Sequence, residues 1–354
     1  MNNLEVLMKN LPKEADAAIV TGFHNRRYLT QLRSSAGTLL ITKNMARYII
    51  DSRYYEIAKK TLLCDVVLQD KLYGQIADFL KENGALSAAI ESDVCTIDDL
   101  SQYRKNLCGF EILDSDALSK QIRKQRERKS PQELAIIGKA QELTDRVFSQ
   151  ILGYLRPGIT ELEIALEIEL IGRRMSGGEA AFPFIVACGK NTSMPHAVPG
   201  NNVLQDGDLL TLDFGFKVED YCSDMTRTVA IGKPSDRQRE VYNVVLRAQH
   251  AALDKIRPGA MCSDIDSIAR ALIDGTEFAG LFGHGLGHGI GLEVHESPQF
   301  SRVCETKLEP GMVLSVEPGI YIPGEFGVRI EDVVAITEDG FINLTHSPKD
   351  ITII

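Results

Sequence analysis

Between Thr211 and Thr228 the chain reads TLDFGFKVEDYCSDMTRT, with Asp213 closing an apolar run and Asp224 eleven positions further on. Read as two antiparallel strands turning around Val218–Glu219, the stretch sets Asp213 directly opposite Asp224, with Asp224, Thr226 and Thr228 on one face. Like charges facing one another destabilise a strand pair. In a partly buried site such a pair keeps a proton rather than ionising twice, unless a cation compensates it. The same arrangement recurs later. VLSVEPG closes a strand at Glu317, and GVRIEDVVAI places Glu331 in its partner after the turn PGEFG. Four carboxylates sum to a formal −4, which two divalent cations neutralise and one does not. An oxygen-rich set with one imidazole suits Mn²⁺, Co²⁺, Fe²⁺ or Zn²⁺ better than a thiolate site would. Two such ions about 3.5–4 Å apart are the usual equipment of metal-assisted hydrolysis.

A second stretch concentrates chemistry of another kind. GHGLGHGIGLEVHE, from Gly283 to Glu296, holds three of the chain's seven histidines and five glycines. A dinucleotide loop needs G-x-G-x-x-G opening a helix, yet Gly283, Gly285, Gly287, Gly289 and Gly291 alternate strictly. H-E-x-x-H is absent too, since His295-Glu296 runs on into Ser-Pro-Gln. Strict alternation suits an extended strand in which His284 and His288 share a face and glycine admits close backbone neighbours.

These segments need scaffolding, and the pattern around them supplies it. YLRPGITELEIA (Tyr154–Ala165) is echoed by KIRPGAMCSDIDSIA (Lys255–Ala269), and LQDGDLLTLDFG (Leu204–Gly215) by LEPGMVLSVEPG (Leu308–Gly319). The matched prolines lie 101 residues apart and the second match is offset by 104. A duplicated α+β unit with approximate two-fold symmetry follows, and it sets Asp213 on Glu317. Upstream, AAIV, GTLLIT, RYIID and CDVVL alternate with helical stretches at Arg53–Thr61 and Tyr73–Asn83, the pattern of a small α/β domain. SKQIRKQRERK, six basic residues between Ser119 and Lys129, reads as a solvated helix face or a connector. SPQE at Ser130–Glu133 is a capping box with proline at the first helical position. The resulting division is an N-terminal domain over 1–122, a linker over 123–130 and a catalytic domain over 131–354.

Composition narrows the class of function. The 354 residues carry a formal net charge of −10, which argues against nucleic acid or an anionic membrane as the main partner. No apolar run approaches the roughly 18 residues of a membrane span. The start MNNLEVLMKNLPKEAD lacks the pattern of a secretory signal, and seven cysteines with no C-x-x-C read as reduced thiols. A cytoplasmic protein is expected.

The five positions Asp213, Asp224, His288, Glu317 and Glu331 resemble, in identity, order and spacing, the ligand set of the pita-bread metallopeptidases. That family includes methionine aminopeptidase, aminopeptidase P and prolidase. The resemblance implies that Asp224 and Glu331 bridge two ions, that Asp213 chelates one, and that His288 and Glu317 complete the other. It makes His196 and His295 active-site histidines. Glu317 is assigned the proton shuttle as well as a ligand role, since a carboxylate beside the attacking hydroxide can take and return a proton. Thr226 and Arg329 would steady the bridging acids, and His284 would lie beside the ligands or substrate. NRRYLTQL (Asn25–Leu32) and DSRYYEIA (Asp51–Ala58) are similar to the N-terminal domain of aminopeptidase P, prolidase and creatinase. That extra domain points away from methionine aminopeptidase, and the intact ligands point away from creatinase. The implied fold is an α/β N-terminal domain followed by an α+β pita-bread domain with an internal pseudo-two-fold repeat. The implied activity is hydrolysis of the Xaa-Pro bond at the N-terminus of peptides with proline second, as in aminopeptidase P. A strict Xaa-Pro dipeptidase is the alternative, and a non-catalytic peptide-binding relative the remote one. The implied cofactor is two divalent ions, Mn²⁺ first among the candidates, in a homodimer.

Overall fold

The computed structural model describes residues 2–176 and 178–354 and divides into two units, Met1–Arg126 and Glu127–Ile354. No helix among the described residues is long and apolar enough to cross a membrane.

The first unit is built on a six-stranded sheet. Its strands run in the order Asp65–Leu68, Ala46–Ile50, Thr38–Thr42, Ala17–Val20, Ser87–Ile90 and Glu111–Leu113. The two hairpin-like pairings at its centre are antiparallel, and the three outer ones are parallel. Strands of four or five apolar residues such as AAIV are buried along their whole length, as expected where both faces are covered. Ile76, Phe79 and Leu80 of the helix Leu72–Glu82 pack with Ile19 and Ile49 in its core. The segment 123–130 departs from the expected linker. It is helical as far as Glu127, within the helix Ala117–Glu127, because Leu118, Ile122 and Arg126 recur every four residues and are buried. Only Arg128, Lys129 and Ser130 precede the next helix, Pro131–Ile151. There the Ser130 hydroxyl accepts from the Glu133 amide at 3.3 Å and Glu133 accepts from the Ser130 amide at 2.8 Å.

The second unit contains the duplication. Its first half comprises the helices Pro131–Ile151 and Glu161–Ser176, then a three-stranded antiparallel sheet. That sheet orders Thr226–Ala230, Leu209–Asp213 and Ile185–Cys188. The second half repeats two helices, Asp236–Leu253 and Cys262–Asp274, and three strands, Gly287–Gly289, Val313–Val316 and Asp332–Ile336. Here Glu296–Phe300 and Phe341–Asn343 extend the sheet at its two edges. The Pro-Gly turns match in detail. Gly158 donates to the Leu204 carbonyl at 2.9 Å and Gly259 to the Leu308 carbonyl at 2.8 Å. The isolated bridges Thr160–Val203 and Met261–Lys307 follow each turn. Both glycines have positive φ, 96° and 83°, which the turn requires and other residues rarely adopt.

Strand alternation then decides what faces the site. Leu210 and Leu212 enter the core beneath the first pair of helices with Phe148 and Ile164. Thr211 and Asp213 take the other face, as do Ser315 and Glu317 against Leu314 and Val316 of the second core. Two strand pairs, one from each half, also join across the symmetry axis. Glu331 N donates to the Thr226 carbonyl at 3.1 Å, and the Thr228 hydroxyl donates to the Arg329 carbonyl at 3.0 Å. Beside that seam the buried Arg227 ties Asp332 Oδ1 at 2.8 Å and the carbonyl of Ser347 at 2.8 Å.

The glycine-rich loop is strand only from Gly287 to Gly289, shorter than its alternation suggested. A Cβ on Gly287 would stand 2.0 Å from the Ser315 carbonyl oxygen, whereas one on Gly283 would meet nothing within 4 Å. Gly287→Ala is therefore expected to lose at least about 1–3 kcal/mol by forcing the strands apart. Gly283→Ala should stay within about 0.5 kcal/mol of the parent. Urea unfolding of the two variants measures the difference, and equal losses would refute the close-approach account.

Candidate metal centre

Asp213 ends its strand opposite Thr226 rather than opposite Asp224. The turn lies one residue later than the sequence pattern placed it, on Glu219 and Asp220, whose φ values of 49° and 72° suit a tight hairpin. Pairing partners therefore shift by two positions, which leaves side-chain parity unchanged. Asp224 consequently still faces the same side as Asp213, but from just outside the ladder. In the second half the register Val316–Asp332, continued by one residue, does set Glu317 opposite Glu331.

One ligand atom each from Asp224, His288 and Glu331 lies within 4.8 Å of the others. His288 Nε2 stands 3.6 Å from Asp224 Oδ2 and 3.3 Å from Glu317 Oε1. Its backbone amide donates to Ser315 Oγ at 3.0 Å, and that hydroxyl donates to Glu317 Oε1 at 3.1 Å. Asp213 is drawn the other way, with Arg329 Nη2 donating to its Oδ2 at 2.6 Å. Arg329 also donates from Nε to Thr226 Oγ1 at 3.0 Å, and Thr226 Oγ1 donates to Glu331 Oε2 at 2.8 Å. Thr226 thus steadies Glu331, while the direct partner of Arg329 is Asp213 and not one of the two acids expected to bridge.

Removal from water sets the protonation of this cluster. Burial, then the charges of Glu331, Asp213 and Glu317, push the Asp224 carboxyl well above its ordinary range. Burial, Glu317 and Asp213 do the same to Glu331. Burial also raises Asp213, against the pull of Arg329. Glu317 departs from this pattern. Burial pushes it up, but the hydrogen bond and charge of His288, with His284 and Arg329 behind, bring it down to about 2. His288 is raised, because Glu317 outweighs the burial that opposes its charge. Burial thus disfavours charge on Asp224 and Glu331, while His288 and Glu317 favour the charged form of one another. Among the described residues Asp213 Oδ1 and Glu331 Oε1 are also buried with no hydrogen-bond partner. Buried anionic oxygens without donors, beside one imidazole nitrogen, fit hard or borderline divalent cations.

The centre lines a cavity of about 560 Å³ with His196, His284 and His295 on its wall. His196 and His295 are exposed. The His295 ring meets that of His288 edge-on at 4.3 Å, and the partial burial of its inner side together with His288 lowers its pKa. His284 sits outside the short strand. Its Nε2 lies 2.9 Å from the Tyr321 hydroxyl, and burial holds it below its ordinary pKa. Tyr321 was absent from the sequence reading. It accepts from Arg329 Nη1 at 2.9 Å and so joins His284 to the Asp213 side of the centre. Ser315 was missed as well, although it stands two residues before Glu317 on the same face, where strand parity could have found it.

Metallopeptidase family M24 matches residues 135–338, and the creatinase/prolidase N-terminal domain matches residues 2–125. The chain is 35% identical over 352 residues to an Xaa-Pro dipeptidase of Pyrococcus horikoshii, covering 98% of this chain and 97% of that protein. The structure of an Xaa-Pro dipeptidase from Bacillus anthracis superposes with a TM-score of 0.95 at 37% identity, over 99% of each chain. An X-Pro aminopeptidase from Thermotoga maritima superposes with a TM-score of 0.90 at 32% identity, over 96% of this chain and 98% of that one.

His288 and His295 touch one another, and different work is expected of each. His288→Ala is expected to lose divalent-ion affinity together with activity. His295→Ala is expected to keep its metal content while turnover falls roughly 10²–10³-fold, the scale of one lost donor to a developing oxyanion. Metal analysis and rate measurements on both variants decide it, and loss of metal from His295→Ala would overturn the division.

Proposed function

The chain belongs to metallopeptidase family M24, and from that premise we propose that it is an Xaa-Pro dipeptidase, releasing proline from dipeptides in which it is second. The observation that carries the reading is the cluster of Asp224, His288 and Glu331 at the wall of a cavity that is otherwise largely apolar. The choice of dipeptide over longer peptide departs from the aminopeptidase P activity expected from sequence. It rests on the dipeptidase relatives from Pyrococcus and Bacillus, weighed against the Thermotoga aminopeptidase.

Asp213, Asp224, His288, Glu317 and Glu331 would hold two divalent ions, with Mn²⁺ assigned first on the oxygen-rich donor set. When bound, such ions polarise the scissile carbonyl and make water nucleophilic near neutral pH. The remaining work falls to the chain. An Xaa-Pro bond is a tertiary amide with no N–H, so recognition must come from shape. Phe184, braced edge-on by Phe214 and Phe216 at 5.9 and 5.5 Å, offers a flat apolar wall to the pyrrolidine ring. His196 and His295, exposed to the cavity, are placed to donate to the carbonyl oxygen as it gains charge. Glu317, whose carboxylate is stabilised by His288 and Ser315, accepts a proton from the attacking water and returns it to the departing proline nitrogen. Arg329 holds the Asp213 carboxyl group in orientation while this happens.

Ala-Pro should be hydrolysed and Ala-Pro-Ala should not, in protein first chelated and then resupplied with Mn²⁺. Comparable turnover of the tripeptide would restore the aminopeptidase reading. Full activity in the chelated protein would overturn the metal mechanism, and equal hydrolysis of Met-Ala would overturn proline specificity.

A further inference from the structure

Asp224 occupies an awkward position for a ligand. It lies just before the strand Thr226–Ala230, so the sheet does not fix it as it fixes Asp213. What reaches its backbone is the helix Pro131–Ile151. Gln141, wholly buried, accepts from the Asp224 amide through Oε1 at 3.3 Å. An N–H donor demands an oxygen, so this bond fixes the side-chain amide's orientation and leaves its NH₂ on the other side. Among the described residues that nitrogen is buried with no hydrogen-bond partner.

Among the described residues Gln141 makes one of three side-chain hydrogen bonds from this helix to the hairpin carrying Asp224. Glu133 Oε1 accepts from the Tyr221 hydroxyl at 2.7 Å, and Thr144 Oγ1 lies 2.7 Å from Ser223 Oγ. Thr144 and Glu133 hold neighbours of the ligand. Gln141 alone of the three bonds to the ligand residue itself. Ser223 is also held independently of Thr144, since its hydroxyl accepts from the Phe216 amide at 2.9 Å and donates to the Phe216 carbonyl at 3.0 Å. A buried amide with an unpartnered donor carries a desolvation penalty that a leucine of similar volume would avoid. Its presence is explained if the bond it does make is needed.

We propose that Gln141 is a positioning residue of the metal centre, fixing the Asp224 backbone so that its carboxylate meets the ions without rearrangement. The inference rests on the metal reading of the site and adds to it a residue from outside the ligand segments. Polar groups that orient ligands typically change metal affinity about 10–100-fold when removed.

The test is Mn²⁺ titration of chelated protein by calorimetry, with amide hydrogen exchange of the segment 221–225 in parallel. Gln141→Leu is expected to weaken Mn²⁺ binding at least about tenfold and to speed exchange at Asp224, while the helix 131–151 stays protected. Thr144→Val is the control for packing on the same helix, and its Mn²⁺ affinity should stay within about threefold of the parent, because Ser223 keeps its other bonds. Should Gln141→Leu fail to fold, Gln141→Met removes the same acceptor with an unbranched side chain. Parental affinity in the Gln141 variant, or equal losses in the Gln141 and Thr144 variants, would overturn the inference alone. A parental protein that binds no divalent ion would overturn the metal reading and this inference with it.

Discussion

Four carboxyl groups withdrawn from water into one cleft are the constraint around which the catalytic unit is organised. A buried carboxylate without a counter-charge gives up its charge. Asp224 and Glu331 follow this rule, both raised well above their ordinary range, first by burial and then by neighbouring acids, Glu331 foremost for Asp224 and Glu317 for Glu331. Every neighbouring group can be understood as managing that electrostatic load. Arg329 compensates Asp213 through a 2.6 Å ion pair, His288 compensates Glu317, and Thr226 spends its hydroxyl proton on Glu331. What these partners leave over among the described residues, two oxygens without donors, is the share that a cation would take.

The duplication explains how such a cluster can be assembled at all. Each half contributes one strand pair whose inner face is polar and whose outer face is packed under two helices. Brought together about a pseudo-two-fold axis, the two polar faces meet, and neither half alone collects more than two of the acids. The halves have since diverged in how they hold their acids. The first displaces Asp224 beyond its ladder and relies on a helix to hold it, whereas the second keeps Glu317 and Glu331 in register. Arg227, wholly buried between Asp332 and the carbonyls of Ser347 and Pro348, shows how firmly the seam is closed.

Much of this was legible in the sequence, and the limits are physical. Asp213, Glu317 and Glu331 declare themselves because a strand has period two and because the repeat sets two of them in equivalent places. Asp224 was assigned to the right face for the wrong partner. Nothing in the pattern distinguishes a turn at Val218–Glu219 from one at Glu219–Asp220, and a two-residue slip preserves parity. The run 123–130 looked like a connector because its charges outnumber its apolar residues, yet three buried positions four apart suffice for a helix. Tyr321 and Gln141 were invisible for a different reason. Each acts through a hydroxyl or amide that could equally face solvent, and only the tertiary fold shows that both are buried.

The seam has a temporal side. Thr226 and Glu331 are bonded to each other twice, side chain to side chain and amide to carbonyl, across 105 residues of intervening chain. Contacts of such sequence separation form late, since the loop between them must first be ordered. During synthesis the first half can pack its helices on its own sheet while Glu331 is still unmade. At that stage Asp213 and Asp224 stand with neither Arg329 nor the acids of the second half, and nothing yet distinguishes their side of the sheet from an ordinary acidic surface. A chain that stops before the last quarter would therefore lack His288, Glu317 and Glu331 together, and with them not a fraction of the cluster's character but the whole of it.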